Sequence, residues 1–150
     1  MEDMLRYLDE IVEPTVRDFD EHPTSRRHAF LACVATFHAI DYLAYPSKRS
    51  SSLRQRFGKQ SPEFRIIDQV AHAFKHVISG NRANPDLRMG DVIPRPPAFS
   101  GVMVAGLSFL GDRKGGVTIF GQHSVDLRWA LRQAIVFLRS RAVVEGPSAQ

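Results

Sequence analysis

The stretch AFLACVATFHAIDYLAY, residues 29–45, decides the fold of this 150-residue chain. At about 100° per residue, its apolar side chains cover nearly the whole circumference of a helix. A helix without a polar face must be surrounded by other elements, so we expect this one to form the centre of a helical bundle. Thr24 or Ser25 would cap its start, and Pro46 follows its end.

The segments on either side of the central helix also carry helix signals. Residues 3–20 predict a helix that is interrupted near Pro14, because proline has no N–H and is tolerated only in a first helical turn. A short helix is expected around residues 53–57. Ser61 is expected to cap the next helix, Pro62 to occupy its first position and Glu63 to interact with the helix dipole. They start a helix that should end near Ser79.

The second half of the chain mixes loop, strand and helix signals. The proline-rich residues 81–100 predict an irregular connection. Two apolar-rich stretches around GDRKGG predict a β-hairpin over residues 101–121, and residues 124–143 predict a C-terminal helix. The sequence therefore predicts a single, mainly α domain over residues 1–150. We expect a bundle of four to five helices with one β-hairpin inserted before the C-terminal helix.

Composition and the lack of a signal lead us to expect a cytoplasmic globular protein. Hydrophobic residues make up 43% of it and charged residues 24%, as is typical of a folded domain. No apolar run reaches the roughly 18 residues of a membrane-spanning helix, and the acidic start lacks the features of a secretory signal. We therefore expect no membrane partner. The single cysteine, Cys33, excludes an intramolecular disulfide and is expected to be a small core residue.

The net charge of +4 hides an asymmetry along the chain. Residues 1–22 hold eight acidic and two basic residues, a balance of −6, whereas the remaining residues hold eight and eighteen, a balance of +10. A basic body with an acidic leader favours a nucleic acid or an acidic protein as partner, and the leader would shield part of the basic surface. A solubilising surface with an incidental bias is the open alternative.

Three groups of basic residues are candidates for contacts with phosphates or with an acidic partner. They are a loop cluster (Lys48, Arg49, Arg54, Arg56 and Lys59), the hairpin turn (Arg113 and Lys114) and one face of the last helix (Arg128, Arg132 and Arg139). Such groups bind phosphates without reading base sequence. A plain solvated surface explains them as well.

A second set of polar residues lies on the two longest predicted helices. On the helix that starts at residue 61, one arc carries Arg65, Asp68, His72, Lys75 and His76. His38 and Asp41 share a stripe of the central helix, where we expect them to be buried. A buried carboxylate needs a cation or donors, so Asp41 should find its partner on that arc. The result would be either a hydrogen-bond network that fixes the packing register or a functional cleft.

The same stripes have ligand spacings that suit a metal ion, but their charge opposes one. His38-x-x-Asp41 and Asp68-x-x-x-His72-x-x-x-His76 each place ligands on one helical face. Lys75 and Arg65 share that face, and glutamate, the usual bridging ligand of di-iron bundles, is absent from it. We therefore predict neither a metal nor a cofactor, and keep a metal-binding bundle as a third hypothesis.

Arg65 and His72 are separated by six residues, IIDQVA. A basic helical bundle with such a pair resembles the HEPN superfamily over residues 23–80. Many members of that superfamily are dimeric ribonucleases of bacterial defence and toxin–antitoxin systems, with an R-x(4–6)-H motif. The resemblance implies a homodimer that cleaves RNA without a metal. His72 would act as general base or acid, and Arg65 would stabilise the charge on the phosphorane.

Two observations keep other functions open. Arg17 and His22, in the acidic leader, form a second pair with an allowed spacing, so the motif alone does not select the site. The basic surfaces equally suit a non-enzymatic interaction or regulatory protein, including a phage-encoded inhibitor.

Overall fold

The computed structural model describes residues 2–45, 49–75, 87–119 and 125–144. Its helices are α1 (Glu2–Tyr7), α2 (Glu13–Glu21), α3 (Arg26–Ala44), α4 (Ser50–Gln60), α5 (Pro62–Lys75) and α6 (Leu127–Val144). Its strands are β1 (Val92–Arg95) and β2 (Gly116–Ile119), which pair antiparallel. The prediction of a mainly α bundle with an antiparallel strand pair before the C-terminal helix is confirmed.

The chain remains helical through the predicted interruption near Pro14. A π-helical turn over Leu8–Val12 joins α1 to α2, and the N–H of Glu13 bonds to the carbonyl of Leu8, five residues back. Pro14 has no N–H with which to bond the residue four positions earlier, and the wider π turn absorbs that missing bond. Residues 2–21 therefore form one continuous helical path.

α3 is the central helix of the bundle, as predicted. It packs against α1, α2, α4, α5 and α6, and the Ser25 side chain caps it by accepting a hydrogen bond from the N–H of His28. The face that contacts its neighbours is made mostly of small residues: Ala29, Ala32, Cys33, Thr36, Ala39, Ile40 and Ala44. Cys33 is fully buried, so its assignment to the core is confirmed.

The expectation that α3 has no solvent face is wrong. Its neighbours pack close to the alanine-rich side and leave the opposite stripe uncovered. Leu31 and Tyr42 lie on this stripe, each more than 40% exposed. An apolar sequence pattern therefore identified the helix correctly but overestimated how far the other helices enclose it.

The two strands differ in position from the predicted hairpin. β1 lies in the proline-rich connection, where Val92 pairs with Ile119 and Pro94 with Val117, whereas residues 101–110 form turns. Gly101 and Gly106 have positive φ angles, which interrupt the extended backbone that the apolar pattern suggested. Proline is tolerated in β1 because a two-stranded sheet consists of edge strands. Residues 120–121 of the predicted hairpin lie outside the described residues.

α6 begins at Leu127, three residues later than predicted. Asp126 caps it, because its Oδ1 accepts hydrogen bonds from the N–H groups of Arg128 and Trp129. The predicted inner stripe is buried, with Leu127, Leu131, Ala134, Ile135 and Leu138 in the core. Among the residues that the structure describes, no helix is long and apolar enough to cross a membrane.

Candidate functional site

The candidate site lies between α4 and α5, which form a tight antiparallel hairpin. Ser61 separates the two helices, and its Oγ accepts a hydrogen bond from the N–H of Phe64 at 3.0 Å, so the predicted start of α5 is confirmed. The antiparallel pairing places Gly58 beside the Arg65 stem, 3.8 Å from the position that a Cβ on Gly58 would take. Arg54, one turn earlier on α4, lies against the middle of α5.

Three side chains meet there: Arg54 from α4, and Asp68 and His72 from α5. The Nε of Arg54 lies 3.4 Å from Oδ2 of Asp68, and its Nη1 lies 3.0 Å from Nε2 of His72. The Nδ1 of His72 lies 3.0 Å from the backbone oxygen of Asp68 and 3.1 Å from its Oδ1. The side chains of Arg54, Asp68 and His72 are 24%, 10% and 18% exposed. Arg54 and His72 can therefore still be reached from solvent, whereas Asp68 is buried behind them.

These contacts select one tautomer of His72. A guanidinium has only donors, so the N–H of Arg54 must point at a lone pair on Nε2. The proton of the neutral imidazole is then on Nδ1, which donates to the backbone carbonyl of Asp68. The nitrogen that could act as a base, Nε2, faces the Arg54 guanidinium.

Asp68 is a buried carboxylate with incomplete hydrogen bonding. Burial raises its pKa above the ordinary value for an aspartate, while the charges of Arg54 and His72 act in the opposite direction. Its Oδ1 is buried and accepts no hydrogen bond of good geometry within the described part of the chain. Its position beside Nδ1 suits it to orient the imidazole.

The structure partly separates the residues that the sequence grouped together. Arg65 and Lys75 are both exposed on α5, and Arg65 lies at the α4 side of the site beside Gly58. The arginine that contacts Nε2 of His72 is Arg54, which the sequence had assigned to a basic loop. His76 lies outside the described residues.

The prediction that His38 and Asp41 are buried is wrong. Their side chains are 46% and 51% exposed and pair with each other, at 3.0 Å between Nδ1 and Oδ2. They lie on the uncovered stripe of α3, so Asp41 needs no partner from α5. Phe37 lies between the two stripes. The centre of its ring is 5.2 Å from that of His38 and 5.1 Å from that of His72, both in edge-on contact.

The other predicted basic residues outside α6 form two groups. Arg49, Arg56 and Lys59 are exposed on or beside α4, a helix that contains no acidic residue. Arg113 and Lys114 are exposed just before β2, and Lys48 lies outside the described residues. At about 100° per residue, Arg56 and Lys59 project from the side of α4 opposite to Arg54, so the α4 group forms a positive surface separate from the site.

The arginines of α6 are paired with the acidic leader or with neighbouring loops. Arg132 lies 2.9 Å from Asp20, and Arg139 contacts Asp9 at 2.5 Å and Glu13 at 3.2 Å. Acidic residues of the leader therefore lie against basic residues of α6, an arrangement expected from the charge asymmetry of the sequence.

One buried charged cluster was not predicted from the sequence. Arg95 of β1 is 1% exposed and donates hydrogen bonds to Asp112 and to Asp126, the latter at 2.6 Å. Its guanidinium also lies 4.0 Å from the centre of the Phe109 ring, and Arg128 contacts Asp126 at 3.3 Å. The available signal was the pair of glycines at 115 and 116. A Cβ on Gly116 would lie 2.7 Å from the Arg95 guanidinium, and a Cβ on Gly115 would lie 2.5 Å from the Arg95 backbone oxygen.

This second cluster holds the long connection between the strands. Oδ1 of Asp112 accepts hydrogen bonds from the N–H groups of Lys114 and Gly115, while its other oxygen meets Arg95. Burial alone would raise the pKa of Asp112, but the N–H of Lys114 and the guanidinium groups of Arg95 and Arg128 lower it below the ordinary value. All these charges are compensated, so we interpret the cluster as structural.

The described residues contain no group of three or more His, Cys, Asp or Glu side chains that could hold a metal ion. No protein-family model matches the chain, and neither a curated protein nor a solved structure shows a significant match to it. The resemblance to the HEPN superfamily therefore stays a prediction.

Proposed function

We propose that the protein binds RNA on the α4–α5 face and cleaves it without a metal ion, with His72 as the acid–base group. The observation that carries this proposal is the contact of Arg54 with Nε2 of an imidazole whose Nδ1–H is held by Asp68. It places a proton acceptor and a cation side by side in a partly open site. This is the pairing that cleavage by a neighbouring 2′-hydroxyl requires.

In this mechanism a phosphate of the RNA accepts the hydrogen bond that Nη1–H of Arg54 donates to His72 in the free protein. Nε2 is then free to accept the proton of the 2′-hydroxyl as the 2′-oxygen bonds to phosphorus. The bond from phosphorus to the 5′-oxygen breaks, and the leaving oxygen takes up a proton from the imidazolium or from water. Arg54 compensates the additional negative charge on the phosphorane.

The surrounding residues suit a phosphate backbone. Arg65 and Lys75 lie on α5 on either side of His72, and both are exposed. With Arg54 they place three cations along the α4–α5 face. Contacts of this kind bind the backbone without selecting a base sequence and weaken as salt increases.

The decisive experiment is a cleavage assay on labelled single-stranded RNA in the presence of a chelator. His72→Ala should lower the cleavage rate by about 10²-fold or more, the usual contribution of a general acid or base. His22→Ala is the matched control, since it removes the histidine of the other Arg/His pair and should leave the rate unchanged. Circular dichroism would verify that both variants are folded.

Arg54→Gln and Arg65→Gln separate the roles of the two arginines. Arg54→Gln should lower the rate at saturating RNA, because Arg54 meets the reacting phosphate, whereas Arg65→Gln should weaken binding with little change in that rate. Cleavage that survives His72→Ala, or that disappears with the chelator, would contradict the proposal.

The positive surface of α4 supports one other candidate, a non-enzymatic module that binds RNA or an acidic protein. This helix is basic without any acidic residue. RNA binding that depends on Arg56 and Lys59, without any cleavage, would favour this second function.

A further inference from the structure

A groove of about 840 Å³ lies between the first helical path and the C-terminal half of α3. Six of its lining residues are tyrosines or acids: Tyr7, Tyr42, Tyr45, Asp3, Glu10 and Asp41. This size falls within the range of ligand-binding clefts. The groove shares no residue with the α4–α5 site.

The tyrosines form an ordered aromatic wall. The Tyr7 hydroxyl donates a hydrogen bond to the backbone oxygen of Ala35 at 2.9 Å. The Tyr7 ring stacks on Tyr42, with 4.5 Å between centroids and 23° between planes. Tyr42 remains 43% exposed and Tyr45 84% exposed, so the wall presents aromatic surface to an incoming group.

The rim of the groove is negatively charged. Among the described lining residues, Asp3, Glu10 and Asp41 oppose a single cation, Arg6, which is itself 3.7 Å from Glu2. Asp41 also pairs with His38 at 3.0 Å. Burial raises the pKa of Tyr7, and the neighbouring Tyr42 and the Asp41 carboxylate raise it further. An aromatic wall beside an excess of carboxylates attracts cations through both the ring faces and the charges.

The backbone distortion of the first helix lies in the same groove. Glu10 and Ile11 belong to the π-helical turn of Leu8–Val12, and both line the groove. Single π turns occur often at functional sites. Here the turn follows from Pro14 and widens the helix where it faces α3.

We propose that this groove docks a basic segment of another protein, whose lysine or arginine side chains lie along the tyrosine rings and meet the carboxylates. Asp3 and Glu10 are seven residues apart, about 10 Å along a helix. A polyproline II chain covers about that distance in three residues and brings every third side chain back to the same face. The groove therefore fits a peptide of this conformation with basic residues at every third position, and the spacing of its carboxylates suits a peptide better than a small cation.

The test uses the full chain and a fluorescein-labelled peptide of glycine and serine with an arginine at every third position. Fluorescence anisotropy should show salt-sensitive binding, and no binding of the peptide with glutamine in place of arginine. The double variant Glu10→Gln and Asp41→Asn should weaken binding about five-fold, as expected for the loss of two exposed ion pairs. Tyr42→Leu should weaken it with no change in charge.

Glu21→Gln is the matched control, because it removes an exposed carboxylate of the same leader outside the groove. It should bind the peptide like the unaltered protein, and neither it nor the groove variants should change RNA cleavage. Equal losses for Glu21→Gln and the double variant would overturn the proposal. So would competition by spermine at lower concentrations than the peptide, or self-association that Asp41→Asn abolishes, since these outcomes assign the groove to a polyamine or to a second copy of the chain.

Discussion

Replacing Arg95 with methionine should destabilise the protein more than replacing any of its exposed arginines. Methionine retains much of the length and packing of the side chain but removes the charge that joins Asp112 and Asp126. Breaking a buried ion pair from one side costs about 3–5 kcal/mol, because the remaining charge is left without compensation. Arg95 is 1% exposed, so its interactions with the two carboxylates are only weakly screened by water.

The expected loss lies at the lower end of that range. Asp112 and Asp126 are themselves 19% and 21% exposed, and Arg128 remains within 4 Å of both carboxylates. We therefore expect the free energy of unfolding to fall by about 3 kcal/mol. With a urea dependence of about 2 kcal/mol per molar for a domain of this size, the midpoint should fall by about 1.5 M.

Urea titration followed by circular dichroism at neutral pH measures this loss, with two comparisons. Arg139→Met removes the partner of Asp9 and Glu13 from an exposed site, and should cost about 1 kcal/mol or less. Adding Asp112→Asn to Arg95→Met should recover part of the lost stability. Asparagine removes an uncompensated charge and keeps an oxygen for the N–H groups of Lys114 and Gly115. The reasoning fails if Arg95→Met costs no more than Arg139→Met, or if Asp112→Asn increases the damage.

Two further predictions concern close packing and pH. A Cβ on Gly116 would lie 2.7 Å from Nη2 of Arg95, so Gly116→Ala should lower the free energy of unfolding by about 1–3 kcal/mol. Gly90→Ala, with no atom within 4 Å of its new Cβ, should stay within about 0.5 kcal/mol in the same urea titration. Because the pKa of Asp68 is raised in the folded state, the free energy of unfolding should fall as pH rises from about 4 through that pKa. Asp68→Asn lacks this titration, so its stability should increase relative to that of the unaltered protein over the same interval. The pKa of Asp112 is lowered in the folded state, so the unaltered protein should lose stability as pH falls below about 4. The stability of Asp112→Asn should therefore increase relative to that of the unaltered protein in this range. Unfolding midpoints that shift in parallel with pH for the protein and both variants would refute these assignments.

The sequence by itself determined the features that depend on neighbours along the chain. The apolar periodicity of residues 29–45 identified the central helix, and the capping residues at 24–25 and at Ser61 located two helix starts. The inner stripe of α6 and the burial of Cys33 were also readable. These features depend on interactions within about four residues, such as helical spacing and bonds from a side chain to the next turn.

Only the tertiary structure decided which distant groups meet. Arg54 and His72 are 18 residues apart, and nothing in the local pattern distinguishes Arg54 from the other bases of its loop. The same holds for Arg95, whose partner Asp126 lies 31 residues away. His38 and Asp41 were placed in the core because α3 is apolar, but its neighbours leave their stripe exposed. Burial and ion pairing depend on how whole helices and loops pack, and many packings satisfy the same apolar pattern.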